Sequence, residues 1–306
     1  MESKPVTLHD ASAFMREVIC YNQGEYTQYS FLAGELHKRL KDSLREFPTD
    51  IEMLRRLCDQ LEDFLRRNLT RVSQKNFKYI KAYFRRNHTG TEPRVCIKGN
   101  YEKDSKNYIV QVIRDRKVPY WSAYPLEDNS GFIDVGNSLY SLCNDIPKQV
   151  ATDKYRNARI DPELAREYYK ERSLEPPTSR DKQDFQYDEA WIKCWKTSDP
   201  SEPQSCYKST LIIPMTLRNN KLDRAFWDIM SVKARREVSR TIFGYLCLDH
   251  VQEYYFNETI DIDVGDIFAD ILSLYMITRS IYTELSDAFY ETIDSVSKEN
   301  LVRRAS

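Results

Sequence analysis

Cysteine and histidine are the side chains of this sequence best suited to nucleophilic, redox or metal chemistry. The four histidines stand in unrelated segments, and the sequence holds neither a nucleophile elbow nor a glycine-rich phosphate loop. The seven cysteines are scattered without a CxxC pair: Cys20, Cys58, Cys96, Cys143, Cys194, Cys206 and Cys247. Scattered cysteines of this kind most often act as buried small hydrophobes. We therefore expect no catalytic residue, no metal site and no cofactor.

Aromatic and charged residues form the stronger pattern, and it is a pattern of binding. The run Pro119-Tyr-Trp-Ser-Ala-Tyr124 carries rings that could stack on a planar ligand, and Arg159 could pair with a carboxylate or phosphate. Ordinary packing is the alternative interpretation for each residue. The candidate ligand-binding residues are Trp121, Tyr124, Phe132, Asp134, Tyr140, Asp153, Tyr155 and Arg159.

The first 88 residues are expected to be all helical, because they show no strand-like alternation. Breaks are predicted at 22–25 (Asn-Gln-Gly-Glu) and at 47–50 (Phe-Pro-Thr-Asp), which would give three helices. Thr49 or Asp50 could cap the helix that follows the second break. After residue 88 the hydrophobic period changes to that of strands.

Four strands and a long final helix are predicted in the rest of the chain. The strands cover 94–98, 107–113, 209–217 and 241–249, each rich in β-branched or aromatic residues, and the first two are joined by a polar hairpin at 100–106. Helical periodicity extends from about Asp263 to Val296. The predicted fold class is α+β, an antiparallel sheet flanked by helices.

The order of these elements resembles the GAF-domain family. The residues that carry the resemblance are Ile213-Pro214-Met215, a polar hairpin at 219–221 and Gly244-Tyr245-Leu246 before the final helix. It also includes 132–137, leading into a short helix through Leu139, Tyr140 and Leu142, and then 150–155. The resemblance implies a GAF-like domain at 89–297, with an insertion at 168–209 and a tail at 298–306. It also implies that the candidate residues listed above close one cavity.

For function, the resemblance implies a cytoplasmic signalling or regulatory sensor. Such a protein would bind a small ligand or a partner protein and transmit through dimeric helices. An enzyme related to methionine sulfoxide reductases, using Cys143, Cys194 and Cys206, is the alternative, and it needs a thiolate of low pKa. The Asn-Lys-Phe-Asp-Glu signature of cyclic-nucleotide GAF domains is missing, so a cyclic nucleotide is not supported.

The charges are strongly segregated although the net charge is only −1. Eight basic residues and no acidic ones lie between Phe64 and Thr91, whereas the final helix is acidic from Asp261 to Asp294. Packing of these two helices side by side would pair the charges within the chain. A nucleic-acid-binding or scaffold protein using the basic helix is the alternative, and we expect no nucleic-acid binding.

The final helix carries an apolar seam at three- and four-residue spacing. Its members are Val264, Ile267, Ile271, Leu274, Thr278, Ile281, Leu285, Ala288, Thr292 and Val296. Because the domain should end near Ile281, the later part predicts a homodimer through a coiled coil of helices. The interface residues would be Ile281, Leu285, Thr292 and Val296. With no apolar run of about 18 residues, no membrane association is expected.

Overall fold

The computed structural model describes residues 8–115, 123–173, 188–196, 206–218 and 240–305. The fold is α+β, as predicted. The helices are α1 Leu8–Glu46, α2 Ile51–Asn87, α3 Ser130–Asn137, α4 Ile146–Ala151, α5 Pro162–Ser173, α6 Glu189–Lys193 and α7 Ile260–Ala305. The strands are β1 Arg94–Lys103, β2 Lys106–Arg114, β3 Ala123–Pro125, β4 Ser141–Cys143, β5 Ser209–Arg218 and β6 Arg240–His250.

The chain forms two compact units. The helical unit comprises Met1–Asn76, Thr216–Phe243 and Asp270–Ser306, and the sheet unit comprises Phe77–Met215 and Gly244–Ala269. This division differs from the one at residue 88, because α2 and α7 each contribute residues to both units. The expected tail at 298–306 is helical as far as Ala305.

In the helical unit, the break near residue 50 was predicted correctly and the break near residue 24 was wrong. Asp50 caps α2, since its side chain accepts a hydrogen bond of 3.0 Å from the backbone N–H of Met53. Helix α1 runs unbroken through Gly24, where a Cβ atom would meet no atom within 4 Å. A glycine inside a helix costs only about 1 kcal/mol, and packing of the rest of the helix offsets that cost.

The second half of α7 contributes side chains to the core of the helical unit. Ile293 is buried in a cluster with Leu40, Leu54, Leu57 and Cys58, and Phe289 and Tyr290 pack against that cluster. The predicted homodimer interface stays a prediction. Ile281, Leu285 and Val296 are half-buried and Thr292 is exposed.

The sheet has six strands in the order β3-β2-β1-β6-β5-β4 and is antiparallel. β1 and β2 are longer than predicted, because the segment expected to be a loop at 100–106 is mostly strand. Only Asp104 and Ser105 form the turn, with φ angles of 51° and 60°. Two consecutive residues with positive φ give the type I′ geometry that suits a two-residue hairpin.

Two further predictions are corrected in the connection between β3 and β5. The short helix is α3, which ends at Asn137, and the predicted helical residues after it lead into β4 instead. The expected insertion is in part a folded core, because Tyr168 on α5 and Trp191 on α6 are both buried. They pack in one cluster with Tyr155 and Trp195. The hairpin at 219–221 lies outside the described residues.

One face of the central strands is apolar and contacts α7. Leu211 and Ile213 of β5 lie against Gly265, where an added Cβ would come within 2.1 Å of the Ile213 Cδ1 atom. Glycine therefore permits the close approach of this helix to the sheet. None of the helices in the described ranges combines the length and apolar character required for crossing a membrane.

Candidate functional site

The described candidate residues are divided between the interior and the surface of the sheet unit. Phe132 and Tyr155 are buried in the sheet unit, whereas Asp134, Tyr140 and Asp153 are exposed. Asp153 accepts a hydrogen bond of 2.7 Å from Arg166 at the surface. Trp121 lies outside the described residues.

The other two candidates are engaged in packing. Tyr124 is half-buried on the edge strand β3, opposite Ile109. The guanidinium of Arg159 lies over the ring of Trp195, with 4.7 Å between its carbon and the ring centroid. A cation–π contact of this kind accounts for Arg159 without a ligand.

One group of polar and thiol side chains in the sheet unit lies on the second face of the central strands. We call this set the polar sheet face: Cys96, Lys98, Thr210, Tyr245, Cys247 and Asp249. Side chains in a strand alternate between faces, so Val95, Ile97, Leu246 and Leu248 point the other way. Apart from half-buried Lys98, every member of the set is buried.

Contacts with α3 establish which way this face points. The Phe132 ring makes an edge-to-face contact with Tyr245, at 4.9 Å between centroids. The Nζ atom of Lys98 lies 5.1 Å from the centroid of the same ring. Gly131 of α3 also lies close to the sheet, since a Cβ atom there would come within 2.9 Å of the Ile212 side chain. Helix α3 therefore covers the polar sheet face.

Register brings the members together in cross-strand pairs. Cys96 is opposite Cys247, and Lys98 is opposite Tyr245. Asp249 is anchored from the next strand, because the Thr210 hydroxyl donates to its carboxylate at 2.8 Å. The face thus presents thiols, an ammonium, hydroxyls and a carboxylate within a few residues of one another.

Tyrosines extend this surface beyond the strands. The Tyr207 hydroxyl accepts a hydrogen bond of 3.0 Å from Asn157, and the Tyr245 hydroxyl accepts one of 3.3 Å from Asn100. Burial, with a smaller contribution from Asp249, raises the pKa of Tyr207 to about 12. Burial also raises the pKa of Tyr155. Both phenols therefore remain protonated at neutral pH and can donate hydrogen bonds.

A cavity of about 440 Å³ reaches the end of this face. Its lining includes Arg94 and Asp249, which are opposite each other in the register, and also Lys81, Arg85 and His250. Lys81 forms an ion pair with Asp115, and Arg85 forms one with Glu92. The cavity is therefore polar, with its positive charges largely compensated.

His250 in this cavity is held as a neutral structural residue. Its Nε2 atom donates to the Thr91 carbonyl at 2.9 Å, and its Nδ1 atom accepts from the Gln252 N–H at 3.0 Å. Burial lowers the pKa of His250 to about 3. Because both ring nitrogens are occupied, His250 is poorly placed for proton transfer.

A second polar cluster joins α5 to the start of β5. The Nζ atom of Lys208 donates to Tyr168 at 2.8 Å and to Asp188 at 2.5 Å, and Arg172 donates to Glu253 at 3.2 Å. Burial lowers the pKa of Lys208 and raises that of Glu253. Burial opposes ionisation of Asp188, but Lys208 outweighs it and keeps the pKa of Asp188 low. Each charge has a partner of opposite sign, so this cluster serves to hold the fold together.

The alternative enzymatic interpretation depends on Cys143, Cys194 and Cys206. The pKa values of the first two bear on whether they can act as thiolates. Burial raises the pKa of Cys143 and of Cys194 to about 12. An attacking thiolate needs a lowered pKa, so these values weigh against thiol catalysis by Cys143 and Cys194. Among the described residues, no group of histidine, cysteine and acidic side chains is arranged to hold a metal ion.

Five residues of the basic run form ion pairs within the chain. Its ion pairs are Arg66 and Arg67 with Asp63, Arg71 with Glu25, Lys81 with Asp115 and Arg85 with Glu92. The acidic partners in these five pairs lie outside α7, so these pairs are not the predicted ones with the final helix. Within α7, Asp261 accepts a hydrogen bond from Tyr83 and lies 3.0 Å from His88.

The polar sheet face was not predicted from the sequence, although the alternation of side chains that indicates it is present in two strands. In 94–98 and 245–249, polar or thiol residues alternate with Val, Ile and Leu, which is the pattern of a strand with one polar face. From the sequence alone, Cys96 and Cys247 are interpreted simply as core residues.

No protein-family model matches the sequence, and no curated protein matches it.

Proposed function

We propose that this protein is a GAF-like regulatory sensor of the cytoplasm that binds a small polar ligand on its polar sheet face. The observation that carries the proposal is a set of polar groups on the covered face of the sheet. Lys98 is half-buried against Phe132 of α3, and Tyr245 and Asp249 on the same face are buried. A sheet covered by helices on both sides ordinarily has apolar side chains on both faces. Polar groups in such a place cost free energy unless they are paired, and departures of this kind concentrate at functional sites.

The side chains define the class of ligand. Lys98 favours a carboxylate or phosphate, and the rings of Phe132, Tyr155 and Tyr207 favour a small planar body. The phenols of Tyr207 and Tyr245 add hydrogen bonds that can fix its orientation. The cavity that ends at Arg94 and Asp249 supports entry from that end of the strands.

Helix α7 supports the regulatory part of the proposal. Its first residues, to Ala269, belong to the sheet unit and those from Asp270 belong to the helical unit. A ligand that shifts the start of α7 in the sheet unit would therefore act on a helix whose later residues belong to the helical unit. Rigid helices with more than one packing arrangement can couple distant sites in this way.

We propose a homodimer formed through the exposed side of α7. Ile267 and Leu274 are 39% and 43% exposed although both are large and apolar, and they are seven residues apart. Seven-residue spacing places both on one side of a helix, as in a coiled-coil seam. The occupant we propose is the same helix of a second copy, because a matching seam is self-complementary under two-fold symmetry.

A binding screen tests the ligand proposal. Intrinsic fluorescence reports on the site, because Trp195 packs against Tyr207 at 4.8 Å between ring centroids. The wild-type chain is titrated with a panel of small aromatic carboxylates and phosphates, in parallel with Lys98→Met. The matched control is Lys106→Met, which changes an exposed lysine at the start of β2.

The expected result is saturable binding of a panel member that is at least tenfold weaker in Lys98→Met and unchanged in Lys106→Met. Loss of a charge-assisted hydrogen bond of about 1.5–3 kcal/mol gives a loss of that size. Equal affinity in both variants would refute the assignment of Lys98. Absence of binding by any member would refute the ligand class.

A further inference from the structure

The two cysteines at the centre of the polar sheet face are directly opposite each other. Cys96 on β1 and Cys247 on β6 are partners in the antiparallel register. Directly opposed residues in such a pair have Cα atoms about 4.5 or 5.5 Å apart, depending on the position in the ladder. Both separations fall inside the ~4.4–6.8 Å that a disulfide spans.

Both sulfurs are reduced, and both side chains share one face of the sheet. Cys96 and Cys247 are thiols with 6% and 1% exposure. Their common face is fixed by the next pair along, Lys98 and Tyr245, which both contact Phe132. Alternation by two residues then places the two thiols on that same side.

The surroundings favour ionisation of one of the two thiols. A hydrogen bond from Cys247 lowers the pKa of Cys96, with a further contribution from Lys98, whereas burial raises the pKa of Cys247. Unequal thiols of this kind form an attacking thiolate and a resolving thiol. A cavity of about 440 Å³ beside the neighbouring pair, Arg94 and Asp249, is large enough for hydrogen peroxide and lies two residues along each strand from the thiols, although neither cysteine lines it.

We propose that Cys96 and Cys247 form a reversible redox site that a small hydroperoxide converts into a cross-strand disulfide. The Cys96 thiolate attacks one peroxide oxygen, the O–O bond breaks, and hydroxide leaves, giving a sulfenic acid at Cys96. The Cys247 sulfur then attacks the Cys96 sulfur, and the hydroxyl leaves as water. In sum, two thiols and one hydrogen peroxide give one disulfide and two waters. This inference is independent of the proposed ligand.

Peptide mapping after oxidation tests the site in the full-length chain. The folded protein is treated with hydrogen peroxide, the remaining thiols are alkylated in denaturant, and the digest is examined by mass spectrometry with and without prior reduction. Cys194 and Cys206 provide a matched control. They lie in one buried cluster of the same unit and are not opposed in a strand register.

The expected product is a peptide containing Cys96 joined to the peptide containing Cys247, which dithiothreitol separates, while Cys194 and Cys206 are alkylated. Cys96→Ser should abolish the linked peptide, and Cys247→Ser should leave Cys96 as a sulfenic acid that dimedone captures. The second variant keeps the test decisive if the first does not fold. Quantitative alkylation of both cysteines, linkage to a different cysteine, or direct oxidation to sulfinic acid would overturn the proposal.

Discussion

The side-chain amides of Asn22 and Asn76 hydrogen-bond to each other twice, at 3.0 and 2.9 Å, in the interior of the helical unit. Each amide also donates to a carbonyl four residues earlier in its own helix, Val18 and Val72 respectively. Asn76 is fully buried and Asn22 nearly so. The pair therefore fixes the register of α1 against α2 with every donor in use.

Replacement of Asn76 by alanine should lower the free energy of unfolding by about 2–3 kcal/mol, because it leaves a buried amide of Asn22 without its partner. Urea unfolding followed by circular dichroism measures the change. Asn68→Ala is the control, because it removes a half-buried amide whose hydrogen bonds are to Phe64 and Arg71 of the same helix. It should change the free energy of unfolding by no more than about 0.5 kcal/mol. A double-mutant cycle with Asn22→Ala that proves additive would show that the two amides are not coupled.

This pair also shows why the sequence misled at residues 22–25. Asn22 and Gly24 together have the composition of a turn, and local propensity predicted a break there. Tertiary contacts decided otherwise, since Asn22 is buried against Asn76 and its carbonyl accepts from Tyr275 at 3.1 Å. The local sequence of α1 does not indicate that Asn22 pairs with Asn76, which is 54 residues away.

Regular elements with strong local signals were predictable. The cap at Asp50 and the strands β5 and β6 each depend on neighbouring residues, and the structure confirms them. The positions of the candidate side chains could not be derived from the sequence, because burial of Phe132 and exposure of Asp134 depend on how α3 lies on the sheet. A helix of eight residues carries too little periodicity to specify its own orientation.

Stability should fall in mild acid because of His250. Its pKa is about 3 in the folded protein and about 6.5 in an unfolded chain, so it is lowered by folding. A depressed pKa contributes stability above pH 6.5 that is lost as the pH falls toward 3, and at pH 5 the loss is ~2 kcal/mol. Urea midpoints at pH 7 and pH 5 measure it. His250→Asn should show a pH-dependent loss smaller by about that amount, and an unchanged loss would contradict the assignment.

Replacement of Lys208 by methionine should destabilise the protein by about 3–5 kcal/mol. The change leaves the carboxylates of Asp188 and Glu253 in a low-dielectric site with only Arg172 to compensate them. Thermal unfolding followed by calorimetry provides the comparison. Lys148→Met, at an exposed position of α4, is the control and should be close to neutral. Equal melting temperatures for the two variants would mean that the buried pair adds nothing.

The dimer should depend on the exposed side of α7. Ile267→Glu combined with Leu274→Glu is expected to shift the protein to monomer in multi-angle light scattering, because unpaired charge in a helix seam is costly. Circular dichroism should be unchanged, since both positions are exposed in one chain. Leu139→Glu, at an exposed apolar residue of the sheet unit, should leave the mass unaffected. A wild-type chain that is monomeric at micromolar concentration would end this proposal.

A native mass spectrum of the protein purified from its own host is the sharpest test of the ligand proposal, because it reports any ligand carried on the polar sheet face. We expect one small non-covalent adduct per wild-type chain, retained in Lys106→Met and lost in Lys98→Met. An adduct that persists in Lys98→Met would place the ligand elsewhere. Wild-type chains without any adduct, both as purified and after incubation with host metabolite extract, would contradict the sensor account.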